Sequence, residues 1–134
     1  MRYHAKNNIT AAGVRWVYEA KTIPLAPTAM LLVRIMIGKV ANKKKLVEIL
    51  ESIPVPQDDK QFNCVIWVQN ALRALEADGK ALGTCVLDWG SLRDQAMEYC
   101  QKKMDQGRFT SGSATADNRK APTYDLLTGQ EVIP

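Results

Sequence analysis

Apolar and polar positions alternate over residues 2–6 and 14–21, and the Tyr, Val and Trp among them favour extended backbone. A third run, residues 30–38, is more continuously apolar and closes on Gly38, so the three together predict a β-meander. Pro24 and Pro27 cannot sit inside a central strand, which makes residues 23–28 a loop. The period then lengthens to that of a helix. Asn42 is a suitable N-cap for a helix to about Glu51 with Leu46, Ile49 and Leu50 on one face, ended by Pro54 and Pro56. After a polar loop over residues 57–61, apolar residues at 65, 68, 72 and 75 predict a central helix opening at Asn63-Cys64 and stopped by Gly79. Asp88 caps a third helix, from about Trp89 to Gln106, with Leu92, Ala96, Tyr99 and Met104 facing inward. Residues 110–120 are rich in Ser, Gly, Thr and Asp and read as a linker, and the final residues from Pro122 regain apolar character. The expected architecture is α+β: a small antiparallel sheet of about three strands or more, packed against about three helices. Residues 1–109 are expected to form one domain, and residues 110–134 a mobile loop and a C-terminal segment docking on the body.

Size agrees with that plan, since 134 residues fill one ordinary domain without room for a second independent core. The first eight residues hold no apolar h-region, and residues 29–40, the most apolar stretch, are too short to span a bilayer and are broken by Arg34 and Lys39. A cytoplasmic protein without a transmembrane segment is expected. Cys64, Cys85 and Cys100 are odd in number and widely spaced, which argues for free thiols over a disulfide framework or zinc site. The net charge of +4 includes a run at Lys43-Lys44-Lys45, but no aromatic residues interleave it, so nucleic acid is not expected as a partner. Glycine-rich phosphate loops are absent, and Glu19, Glu51, Asp58, Asp59 and Asp88 form no paired-carboxylate or metal-ligand pattern, so neither cofactor nor metal is expected.

Candidate chemistry centres on Cys64. A cysteine in the first turn of a helix has its thiolate favoured by the helix dipole, and the free amides there, about Asn63 and Val65, can hold an oxyanion. The competing reading makes Cys64 a small buried residue beside Trp67, with Cys85 and Cys100 in the core. Cysteine catalysis needs a base, and His4 is the chain's single histidine. A strand histidine is as readily a packed or edge residue. Trp16, Trp67 and Trp89 read most simply as core and cap residues, and Trp67 and Trp16 are the two assigned to a pocket.

The blocks Arg2-Tyr3-His4-Ala5-Lys6-Asn7, Met30-Leu31-Leu32-Val33-Arg34, Asn63-Cys64-Val65-Ile66-Trp67-Val68, Gly83-Thr84-Cys85-Val86-Leu87-Asp88-Trp89 and Pro122-Thr123-Tyr124-Asp125-Leu126-Leu127 resemble an uncharacterised family of filamentous-fungal proteins over nearly the whole chain. Members of that family open with an additional histidine-bearing strand ahead of the first block. The longer arrangement is distantly similar to the permuted papain-like fold of lecithin retinol acyltransferase and NlpC-type proteins. That resemblance implies Cys64 as nucleophile and His4 as the polar member that orients a base, the base itself belonging to the strand ahead of this sequence. It implies a cysteine-dependent acyl-transfer or amide-hydrolase-type protein, acting on a small acyl or amide substrate and impaired by loss of its base. The alternative is a non-catalytic interaction module, a pseudoenzyme that self-associates as a homodimer through an open sheet edge. Nucleic-acid binding through residues 43–45 ranks third.

Overall fold

A computed structural model describes residues 1–24, 31–110 and 120–134. In chain order the elements are β1 (Arg2–Thr10), β2 (Gly13–Lys21), β3 (Arg34–Met36), β4 (Gly38–Val40), α1 (Lys43–Ser52), α2 (Cys64–Asp78), β5 (Leu82–Cys85), α3 (Trp89–Asp105), β6 (Thr123–Asp125) and β7 (Gln130–Ile133). The fold is α+β, with three helices and small sheets ordered β1-β2, β3-β6-β7 and β4-β5. None of the described helices is long and apolar enough to cross a membrane. Most of the expected linker and most of the expected loop lie outside the described residues, as does Met30.

Backbone contacts group the chain into two units: residues Met1–Ile23 with Val40–Gly83, and Pro24–Lys39 with Thr84–Pro134. The first unit sets the hairpin β1–β2 against α2, and α1 packs on α2 in turn. Strand β1 runs four residues further towards the turn than alternation predicts and β2 one, because pairing Asn7 with Trp16 and Asn8 with Arg15 overrides the low strand preference of asparagine. Gly13, at φ +110°, absorbs the turn after Ala11-Ala12. Strand side chains alternate between faces. Ala5 and its partner Tyr18 therefore share a face, on which Ala5 is buried and Tyr18 packs against Trp67 with ring centroids 6.0 Å apart. Trp16, on the same face, meets Phe62 edge to face at 5.4 Å.

The buried side of α2 is Trp67, Ala71, Leu72 and Leu75, while Val65 and Val68 are exposed. The expected inward face, 65, 68, 72 and 75, is thus rotated about the helix axis, since burying the large Trp67 ring on the hairpin outweighs burying two valines. Gly79 closes the helix in the left-handed region at φ +64°, and the Asp78 carboxylate accepts from the Lys80 and Ala81 amides and pairs with Lys45.

In the second unit, the apolar run at residues 30–38 does not continue a meander. Its β3 pairs in parallel with β6, and β6 pairs antiparallel with β7. A meander needs only local turns, whereas this run finds its partner almost ninety residues away, as the Arg34–Thr123 pairing shows. On α3 the inward residues are Leu92, Tyr99 and Lys103, with Ala96 half-buried between them and Met104 exposed. Positions 92, 96, 99 and 103 keep the helical phase, and Met104 lies about 100° round the axis from Lys103. Lys103 occupies this place because Glu131 of β7 pairs with its ammonium at 2.5 Å. The Tyr99 hydroxyl donates to the same carboxylate at 2.7 Å, which ties β7 to α3.

Candidate functional site

Residues 63–67 open α2 as capping chemistry predicts. Asn63 is extended, at φ −153° and ψ 175°, and its side-chain oxygen accepts from the Val65 and Ile66 amides at 2.9 and 3.1 Å. The Trp67 amide starts the helical ladder on the Asn63 carbonyl at 3.1 Å. Of the first-turn amides, only that of Cys64 is left outside this cap. An oxyanion held by Val65 is therefore in competition with Asn63, which already fills that donor.

Cys64 is exposed at the first position of the helix, which overturns its reading as a buried core residue. Cys85 is exposed as well and Cys100 half-buried, so neither is the core residue expected. Their positions explain this. Cys85 ends a short strand whose last three residues are all exposed, and Cys100 borders the buried Tyr99 without sharing its phase. All three thiols are free.

His4 is engaged elsewhere. Its Nε2 lies 2.8 Å from Glu19 Oε2, and the Lys6 ammonium donates to the other oxygen of the same carboxylate. The three form one network because His4 and Glu19 are direct cross-strand partners, and Lys6, two residues along β1, stands on the same face. Hydrogen bonds from Lys6 and then His4, helped by their charges, hold the Glu19 carboxyl down at about 2. Nδ1 of His4 makes no hydrogen bond among the described residues.

The alternation of β1 decides the relation of the two candidates. Ala5 and Tyr18 turn towards α2, so His4 and Glu19, one residue along on each strand, project from the opposite face of the hairpin. The histidine and Cys64 share no hydrogen bond among the described residues, even at the longer reach allowed to sulfur. Trp67 and Trp16, the expected pocket walls, pack against Tyr18 and Phe62. The Trp67 Nε1 and Tyr18 hydroxyl are both buried without a hydrogen-bond partner among the described residues. Burial raises the Tyr18 hydroxyl pKa, assisted by the charge of Glu51 and by Tyr3.

Glu19 is the residue that inspection of motifs passes over, because fifteen positions separate it from His4. A signal was present: a tight turn at Ala11-Ala12 makes the indices of every cross-strand pair sum to 23, which places His4 opposite Glu19. No group of three or more His, Cys, Asp or Glu among the described residues is arranged to hold a metal ion.

Residues 1–133 fit the profile of DUF6914, a family of unknown function. Neither the curated proteins nor the solved structures contain a match to the chain.

Proposed function

Because the chain belongs to DUF6914, a family of unknown function, its own residues must carry the reading, and we propose a non-catalytic interaction module on a decayed, permuted papain-like thiol-hydrolase framework. The observation that supports it most is the engagement of His4 by Glu19 on the hairpin face turned away from α2. A thiol without a base within reach keeps only its intrinsic nucleophilicity, and a capped first turn offers little to an oxyanion. The interaction we assign is self-association through a sheet edge. Gln57 grips the outer edge of β2, accepting from the Trp16 amide at 3.0 Å and donating to the Trp16 carbonyl at 2.8 Å. At Trp16 that occupies the backbone groups another strand would need. The outer edge of β1, which pairs with β2 alone among the described strands, is the edge we assign to a second copy.

The second reading, a cysteine-dependent acyl transferase or amide hydrolase acting on a small acyl or amide substrate, draws on the exposure of Cys64 at a helix start. One pair of measurements separates the two. The proposed module hydrolyses p-nitrophenyl acetate no faster than its C64S and H4A variants do, and light scattering at micromolar concentration gives the mass of a dimer. Hydrolysis lost on both substitutions restores the enzyme, and a monomer discards the sheet-edge contact.

A further inference from the structure

The distal part of the β1–β2 hairpin has a composition unlike the rest of the chain. Residues 7–15 are all exposed, and residues 7–14 carry no charge at all in a protein of which 24% is charged. Ile9 and Val14 are direct cross-strand partners at the tip, 88% and 59% exposed, and Ala11, Ala12 and Gly13 form the turn between them. Two opposed β-branched residues left in water at the end of a hairpin forgo burial that most such residues obtain. The first charges met on leaving the tip are basic on both strands, Arg15 and Lys6. Glu19 is the hairpin's only acidic residue, and His4 and Lys6 already hold it. Arg15 makes no ion pair among the described residues.

This tip is also held in shape. The Thr10 hydroxyl donates to the Gly13 carbonyl at 2.8 Å across the turn, and the Gln57 grip on Trp16 anchors the base of the exposed segment. A rigid tip loses little conformational entropy on docking. We propose that the hairpin tip docks on an anionic lipid surface, Ile9 and Val14 entering the boundary of headgroup and acyl chain while Arg15 remains among the headgroups. The spacing suits this: two residues of strand rise about 7 Å, so Arg15 lies that far behind Gly13, within the roughly 5–10 Å to which interfacial elements sink. Ile9 and Val14 face one side of the ribbon and Arg15 the other, so entry is tip first and not flat.

Charge favours lipid over the other occupants. A second copy of the hairpin offers no free carboxylate to Arg15, and a nucleic-acid strand makes no use of an aliphatic tip that presents no aromatic ring for stacking. Docking of this kind needs neither Cys64 nor His4 and stands apart from the fate of the thiol.

The test is co-sedimentation of the full chain with phosphatidylcholine vesicles, with and without phosphatidylserine. The wild type sediments with the serine-containing vesicles and is released by salt. The double substitution I9D/V14D, at positions too exposed to disturb the fold, lowers partition by about tenfold or more. R15Q lowers it about fivefold, the equivalent of about 1 kcal/mol for one basic residue near the surface. Far-UV circular dichroism and a thermal melt confirm that the variants are folded. Failure to sediment with either vesicle overturns the proposal, and so does equal binding by wild type and I9D/V14D. An I9D/V14D variant that splits a dimer while the wild type ignores vesicles makes the tip a protein contact. Salt-sensitive oligonucleotide binding that R15Q abolishes, with no vesicle association, makes it a nucleic-acid contact, and either result overturns the proposal.

Discussion

At the residue scale, Glu19 shows how two neighbours can retire a carboxylate from chemistry. With its carboxyl held at about 2 by Lys6 and His4, it is a weak base, and its role is to fix the imidazole and the lysine on one face of the hairpin. The pH dependence follows in sign. A carboxyl whose folded pKa lies below its ordinary 4.5 adds stability that is full above that value and is lost as the pH falls towards about 2. Urea midpoints of the wild type should therefore decline over that acid window, and those of E19Q should be lower at neutral pH and decline less. Parallel curves for the two proteins would show that Glu19 contributes nothing through its charge. His4 was visible in the sequence as the only histidine, whereas its partner follows only once the turn is placed at Ala11-Ala12, ahead of Gly13, since the pairing depends on where the turn falls.

At the element scale, the join between α3 and β7 rests on a buried ion pair. Lys103 is almost fully buried, and its ammonium lies on Glu131 and over the Tyr99 ring at 5.6 Å. Burial works to raise the Glu131 pKa, but hydrogen bonds from Lys103 and Tyr99 outweigh it and the net shift is downward. Burial, with the neighbouring Glu131, pushes the Tyr99 hydroxyl far above its ordinary range, so it stays a neutral donor. E131A leaves an ammonium buried without its partner and should cost about 3 kcal/mol in chemical denaturation. Replacing both members by apolar residues, K103M/E131L, should recover most of that loss. Equal damage from the single and double variants would mean that packing, and not the charge, is at stake. Capping was legible in advance: Asn42, Asn63 and Asp88 each hold the helix start expected of them. Phase was not, since an aromatic residue turned α2 and a lysine took an inward place on α3 that apolar spacing would give to methionine.

At the scale of the whole molecule, thiol accessibility offers a direct check on the two units described. Cys64 and Cys85 are exposed and Cys100 is half-buried in α3, so iodoacetamide should label the first two ahead of Cys100 in the native protein and all three equally in urea. Early labelling of Cys100 would show that α3 opens readily. Pulling Cys64 far ahead of Cys85 at neutral pH, with the gap closed by H4A, would speak for a functioning thiol and against the module proposed.

Local signals in the sequence were sufficient for the α+β class, the three helices and their caps, the free thiols and the position of Cys64 at a helix start. Each depends on residues close together in the chain, where periodicity and capping act. The pairing of β3 with β6, the face that α2 buries, the ion pair of Lys103 and the face of the hairpin from which His4 projects depended on tertiary structure. Those features bring together residues from fifteen to almost ninety positions apart, and strand alternation adds a choice of face that one residue of register reverses. Cys64 and His4 were both legible as chemistry, and only the register of one hairpin turned the histidine towards Glu19.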